Sequence, residues 1–129
     1  MKQLNYQTLQ DLNYDGYLLN EAPERVLQFG EGNFMRAFVD FFIDKMNETA
    51  NFNSKVVLVQ PIPKFTTPNV GDFINEQEGL YTLYLRGSEN GQKVSSKRVI
   101  SCISRCLNAY SDYEAVMECA KNPELRFIT

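Results

Sequence analysis

At 129 residues the chain has the length of one domain, and a chain of that size buries roughly 68% of the surface it exposes when unfolded, so a real core is available. Its 13 basic and 16 acidic side chains give a formal charge of -3 with no long basic run, which excludes the phosphate neutralisation that nucleic-acid binding needs. Histidine is absent, and with it go Ser-His-Asp and Cys-His nucleophiles, histidine metal sites and a histidine proton shuttle in this segment.

No apolar run reaches membrane-spanning length, and no basic start followed by an apolar core marks a signal peptide, so the expectation is a cytoplasmic protein with no membrane partner. Cys102, Cys106 and Cys119 are odd in number and lack C-x-x-C spacing. They read as buried thiols rather than as a disulfide or zinc framework.

Residues 1–24 read as an N-terminal extension. Leu4, Tyr6, Leu9, Leu12, Tyr14, Tyr17, Leu18 and Leu19 recur without a clean period, which suits an extended arm or a short helix packed on the body. Glu21-Ala-Pro-Glu24 separates it from a first strand. There Val26, Leu27 and Phe29 form a short apolar run suited to burial on both faces, and it stops at Gly30-Glu31-Gly32. Gly30 can take dihedrals closed to other residues, and Gly32 lacks the Cβ that would hold a diphosphate away from the backbone. A helix starting behind the turn aims its free N–H groups and partial positive charge at whatever sits there, so an anion is the natural occupant.

In that helix Phe34, Ala37, Phe38, Phe41, Phe42 and Met46 recur three and four apart, predicting one apolar stripe laid on the sheet, with Asp40, Asp44 and Lys45 on the other side. Three residues complicate the phosphate-loop reading. Met35 stands where G-x-G-x-x-G has its third glycine, and Glu31 puts a carboxylate in the cradle, which must turn away from any phosphate. Arg36 in the first turn is unfavourable by roughly 0.3–1 kcal/mol unless an anion faces it, which Asp40 could supply without any ligand. On glycine spacing alone, a plain strand-to-helix connection explains the turn equally well.

Lys55-Val-Val-Leu-Val-Gln60 is a second β-rich run, consistent with a parallel partner. Where dinucleotide folds commonly place an acid on the adenosine ribose, this run ends in Gln60, which hydrogen-bonds but does not repel a 2′-phosphate; the residues leave NAD and NADP both open. Pro61, Pro63 and Pro68 predict a stiff linker, and residues 69–78 a helical turn. Leu80–Leu85 reads as a strand, Glu89-Asn90-Gly91 as a turn, and Val94–Leu107 as the return strand of a β-hairpin inserted in the crossover pattern or added at the sheet edge. Tyr81 and Tyr84 read as ordinary sheet aromatics, and Lys97, Arg98 and Arg105 as solvated rather than catalytic. Ser111-Asp-Tyr-Glu114 has the capping-box pattern for a helix whose stripe is Ala115, Val116, Cys119 and Ala120. Asn122-Pro123 stops it, and Leu125–Ile128 predicts another strand. Strand, helix, strand thus recurs, and the class is α/β with a largely parallel sheet, whose unfinished apolar edge invites self-association.

Residues 30–38, Gly-Glu-Gly-Asn-Phe-Met-Arg-Ala-Phe, resemble the G-x-G-x-F-x-R-A signature of the mannitol dehydrogenase family of polyol and sugar-acid dehydrogenases, in which the third glycine is ordinarily absent. The resemblance runs on through residues 56–62, 79–87, 98–101 and 122–128, nearly everything from Glu24 onward. It implies a partial Rossmann-like, doubly wound domain over residues 25–129, NAD as cofactor, a small sugar-acid substrate and hydride transfer without a metal. It also implies a nucleotide segment of Val26, Leu27, Gln28, Phe29, Gly30, Glu31, Gly32, Asn33, Phe34, Met35, Arg36 and Ala37. Gly30, Gly32, Asn33 and Phe34 would be its main contacts and Arg36 its charged contributor. Members of the family continue for several hundred residues into a mostly helical substrate domain that carries their catalytic lysine, so no catalytic residue is expected here. The alternatives are a family member acting on fructuronate, mannitol or a related polyol, and a non-catalytic α/β interaction module.

Overall fold

Strands β1 (Glu24–Phe29) and β2 (Lys55–Gln60) lie at the centre of a parallel sheet, Val26 beside Val56 and Phe29 beside Val59. A computed structural model describes residues 2–62 and 69–129; Pro63 and Pro68 of the expected linker lie outside the described residues. β5 (Ile103–Asn108) pairs with β2, and the two-residue β6 (Phe127–Ile128) pairs with the free edge of β1, both in parallel, so the order is β5-β2-β1-β6. Every residue of β2 is buried. Val56 and Leu58 face one layer with Ile43, Ile74 and Ile103, while Val57 and Val59 face the other with Leu107 and Cys119. Burial on both sides explains why these runs are apolar without alternation, each side chain contributing roughly 1.5–3 kcal/mol. The three thiols are free and buried, as their spacing suggests.

Helices α2 (Asn33–Ala37) and α3 (Val39–Ala50) follow β1, α4 (Val70–Glu76) follows β2, and α5 (Tyr113–Ala120) follows β5. One continuous helix was expected after the glycine turn. It breaks instead at Phe38 (φ -116°, ψ -72°). The hydroxyl of Tyr81 donates to the carbonyl of Arg36 at 2.7 Å, the acceptor that the Asp40 amide takes in an unbroken helix, and such an insertion into the ladder kinks a helix.

Of the apolar stripe expected to lie on the sheet, Phe41 packs on the core, but most of the stripe is turned outward. Asp40, Ile43, Asp44 and Asn47 point inward, while Phe34, Phe38, Phe42 and Met46 are exposed. Specific polar partners choose the inner face. Asn47 Nδ2 donates to Ser54 O and Asn47 Oδ1 accepts from Ser54 N, at 2.9 and 3.0 Å. Asp44 Oδ2 accepts from Arg98 Nε at 2.8 Å, and Asp44 Oδ1 from Ser101 N at 3.0 Å. Arg98, expected to be solvated, is therefore half-buried and bridges Asp44 and Glu48, and Arg105 pairs with Glu24 at 3.0 Å. Lys97 is exposed as expected.

β3 (Tyr81–Glu89) and β4 (Gln92–Ile100) form the expected hairpin about Asn90-Gly91, as a separate two-stranded sheet inserted between β2 and β5. The return strand read over 94–107 is two strands, one in each sheet. Ser101 and Cys102 make the transfer, Ser101 N bonding to Asp44 and Cys102 O accepting from Val56 N at 2.7 Å, and nothing in the uninterrupted β-forming composition marks the change. The N-cap of α5 is Asp112, not Ser111, and its side chain makes no cap bond; Asp112 Oδ2 instead accepts from Asn108 N at 2.8 Å.

The N-terminal residues form a docked arm containing α1 (Tyr6–Asp11), with Leu9 packed on Leu80 and Val99. Lys55, buried at the start of β2, donates to Leu19 O at 2.6 Å, to Ser101 O, and to Tyr6 Oη at 3.4 Å. Burial lowers the Lys55 pKa and lifts the Tyr6 hydroxyl to about 12. All three ammonium protons have acceptors, so this lysine staples the arm rather than serving as a free base. Among the described residues no helix is long and apolar enough to cross a membrane.

Candidate functional site

The sheet grows from β1 through β2 to β5, and then the chain returns to lay β6 on the opposite edge of β1. The carboxyl end of β1 is therefore a topological switch point, where chain segments leave in opposite directions and open a crevice. Gly30-Glu31-Gly32 occupies that place.

Gly30 N donates to Val59 O at 2.9 Å, extending the ladder by one residue, and its φ of +128° is closed to other residues. Gly32 caps α2 with φ -68° and ψ 166°, a conformation any residue adopts. A Cβ built on either glycine meets no atom within 4 Å, whereas one on Gly71 would approach Cys106 Sγ at 3.1 Å. No described residue crowds position 32. The open side of the turn matches a guest that approaches the backbone. Among the described residues the amides of Asn33 and Phe34, in the first turn of α2, have no acceptor.

The turn is held from beneath by polar groups. Gln28, fully buried in β1, donates from Nε2 to Gly30 O at 3.1 Å and to Asp40 Oδ2 at 3.0 Å. Asp40 is itself fully buried, and its Oδ1 and Gln28 Oε1 have no donor among the described residues. Burial raises the Asp40 carboxyl to about 7, against the opposing effects of the Gln28 bond and the more distant Arg36 charge. A protonated carboxyl supplies the donor that two orphaned acceptors lack. Asp44, one turn on, is also buried but has the Arg98 guanidinium at 2.7 Å.

Arg36 braces the turn from the side, with Nε on Glu31 O at 2.9 Å, Nη2 on Asn33 Oδ1 at 2.6 Å, and its guanidinium 5.4 Å from the centre of the Tyr81 ring. It does not pair with Asp40, the ligand-free partner considered from sequence. Glu31 is tucked in, near enough for its charge to help raise the Cys106 thiol.

Of the twelve residues in the expected segment, Val26, Leu27 and Gln28 are buried in the sheet and cannot touch a ligand by side chain. Gly30, Gly32, Asn33 and Phe34 lie at the turn, Glu31 is buried beside them, Phe29 is exposed at the strand end and Ala37 at the end of α2, and Met35 and Arg36 are half-buried. Asp40 was not anticipated as a support. The available signal was Gln28, an amide inside a doubly covered strand, which must find a buried partner.

A second opening of about 270 Å³ lies at the carboxyl ends of β2 and β5, lined by Gln60, Asp72, Asn75, Asn108, Ser111 and Asp112 among others. Gln60 is buried there, and its Nε2 has no acceptor among the described residues.

Residues 24–129 match the mannitol dehydrogenase Rossmann domain. Altronate oxidoreductase of Phocaeicola vulgatus is 48% identical over 117 residues, covering 91% of this chain and 24% of that protein. The Bacillus subtilis altronate oxidoreductase is 45% identical over 123 residues, covering 93% and 24%. The chain thus spans about a quarter of the length of the curated relatives it matches. Among solved structures, Pseudomonas fluorescens mannitol 2-dehydrogenase in ternary complex with NAD and D-mannitol superposes with a TM-score of 0.78 at 26% identity, over 98% of this chain and 26% of that one. A substrate-free D-sorbitol dehydrogenase superposes equally well, TM-score 0.78, at 23% identity, and shows the same fold.

Proposed function

Because the chain belongs to the mannitol dehydrogenase family, we propose that it is the cofactor-binding part of a longer, NAD-dependent oxidoreductase that interconverts D-altronate and D-tagaturonate in hexuronate catabolism in the cytoplasm. The observation that carries the cofactor site is the glycine turn at the switch point, open on its outer side and backed by two unpartnered amides. Identity of 45% and 48% to altronate oxidoreductases, against 26% to a mannitol dehydrogenase, favours the sugar acid over a polyol.

In this reading residues 25–129 are an incomplete nucleotide domain, residues 1–24 its extension, and the substrate domain lies elsewhere in the longer polypeptide. Gly32 lets the diphosphate reach the backbone, the Asn33 and Phe34 amides receive it, and Arg36 holds the turn while adding positive charge. Gln60 offers Nε2 to the adenosine ribose. A dinucleotide held there would supply hydride chemistry, accepting hydride from the secondary alcohol carbon of the sugar acid or returning it to the carbonyl carbon of the keto form. No side chain of this segment is assigned to proton transfer, so the 129-residue chain alone should not turn over altronate. Turnover by the purified chain, with contaminating enzyme excluded, refutes that assignment. The exposed Phe127 and Ile128 at the β6 edge support self-association of the isolated chain.

The turn is tested by Gly32→Val in the full-length protein. Valine is a poorer N-cap than glycine, so the substitution should cost about 1 kcal/mol of stability, while a branched Cβ in the seat should weaken NADH at least tenfold, about 1.4 kcal/mol. Fluorescence titration reads the affinity, and an unchanged dissociation constant removes this turn from the site.

A further inference from the structure

Two acids lie one helical turn apart on the inner side of α3, and both are fully buried. Asp44 has its counter-charge in Arg98 at 2.7 Å. Asp40 has no ion-pair partner among the described residues, because the guanidinium of Arg36 is engaged with Glu31 O and Asn33 Oδ1. Asp40 has Gln28 instead, whose Nε2 donates one proton to Asp40 Oδ2 at 3.0 Å and the other to Gly30 O at 3.1 Å. The carboxyl is therefore one amide group away from the glycine turn, on the buried side of the diphosphate seat. Asp40 Oδ1 and Gln28 Oε1 are shut off from water and meet no donor among the described residues, so the arrangement is one proton short.

We propose that Asp40 is a positioning residue for the cofactor, acting through Gln28: the dinucleotide binds the form in which Asp40 carries a proton, and binding draws that proton from solvent where Asp40 starts ionised. The inference rests on the reading of Gly30-Glu31-Gly32 as the diphosphate seat. Neutral, Asp40 sets no charge beneath the seat, and Gln28 holds Gly30 O in place. Ionised, it puts a negative charge behind the backbone that receives another, in an interior where water screens little. The two anions repel, so filling the turn tightens the proton on Asp40, and losing that proton weakens the dinucleotide by the same factor. Asparagine would fill this position at less cost to stability. An acid held there at that cost, beneath an anion seat, has the pattern of a functional group.

The direction follows from linkage. Burial places the free carboxyl at about 7, so dinucleotide affinity is level on the acid side of that value and falls as pH rises through it. The charged and titratable groups around Asp40 are Arg36 of α2, Asp44 of α3, Tyr81 of β3, Cys102 between β4 and β5, and Glu31 in the turn. Asp40→Asn removes one titration and leaves those of the others in place.

The test titrates NADH into the full-length protein and its Asp40→Asn variant across the neutral range, read by fluorescence. Between roughly pH 6 and pH 8.5 the dissociation constant should rise about fivefold in the parent and no more than about twofold in the variant, whose affinity stays near the parent's acid-side value. A second measurement needs no variant: calorimetry at about pH 7.5, in buffers of different ionisation enthalpy, should show the parent taking up roughly 0.4 proton per NADH bound. A carboxyl that served packing alone would shift the melting temperature with pH and leave the dissociation constant level. Matching pH profiles in the two proteins overturn the proposal, as does binding without proton uptake, and either result leaves the seat standing because NADH still binds. Absence of NADH binding at every pH removes the seat, and the linkage with it.

Discussion

Gly79→Ala is expected to destabilise the chain by about 4 kcal/mol, among the largest losses a single methyl group can cause. Gly79 follows α4 at φ +80°, and its amide donates to Ile74 O at 2.8 Å, closing the helix end. A Cβ at this position would sit 2.1 Å from the carbonyl oxygen of Ile103 and 2.9 Å from its carbonyl carbon. Both are backbone atoms at the start of β5, so relief requires moving the strand that lines the Gln60 cleft. The left-handed conformation alone costs a side chain roughly 1–2 kcal/mol. Gly91→Ala isolates that part: its φ is +78°, and nothing lies within 4 Å of the added atom. Urea unfolding should show the midpoint falling by roughly 2 M for Gly79→Ala and by under half of that for Gly91→Ala. Equal shifts would mean that the Ile103 carbonyl does not crowd position 79.

Asp40→Asn is expected to stabilise the chain at pH 8 and to remove much of the pH dependence of its stability between pH 4 and 7. The folded carboxyl titrates at about 7, raised by burial, while in the unfolded chain it releases its proton near the ordinary value of 3.8. Between those limits the folded state holds a proton that the unfolded state has lost. The stabilisation is thus fully present below about pH 4 and declines as pH rises through 7, by about 1.4 kcal/mol per unit where the difference is one whole proton. The other charged and titratable groups around it are Arg36, Asp44, Cys102 and Tyr81. Asp44 is tied to Arg98, and burial raises the Cys102 thiol and the Tyr81 hydroxyl above their ordinary values, so neither titrates in this window. Asparagine keeps the shape, carries its own donor for the orphaned Gln28 oxygen and has no proton to lose. At pH 8 the variant should be more stable by about 1–3 kcal/mol, read as a higher melting temperature, with the two proteins converging near pH 4. A variant less stable than the parent at pH 8 would falsify the account of Asp40 as an uncompensated buried acid.

What could be read in advance depended on whether one physical signal was enough. Val26-Leu27 and Val56 to Val59 announce doubly covered strands, because only parallel strands between two layers tolerate unbroken apolar runs. Asn90-Gly91 announces its turn because few residues take positive φ so readily. The α2–α3 segment misled because counting apolar positions assumes the apolar face lies inward, and here Gln28, Arg98, Ser101 and Ser54 claim Asp40, Asp44 and Asn47 for the inside. Those partners lie 7 to 57 residues away in sequence, beyond the reach of any local period. The change of sheet at Ser101-Cys102 was hidden for the same reason, since the residues on both sides are good strand formers. At the glycine turn, spacing located the bend. Its bracing by Arg36 and Asp40 depends on angles that spacing does not carry.

The arm stapled by Lys55 has an effect on the order in which the molecule is made. Tyr6 bonds to Glu78 and Leu19 to Ser101, so the arm finds its seat only after a further 72 to 82 residues have been translated. At roughly 5–20 residues per second that is a wait of about 4–16 s. Its leucines are open to a chaperone throughout that interval, and a stretch made ahead of the strands it packs on settles after them.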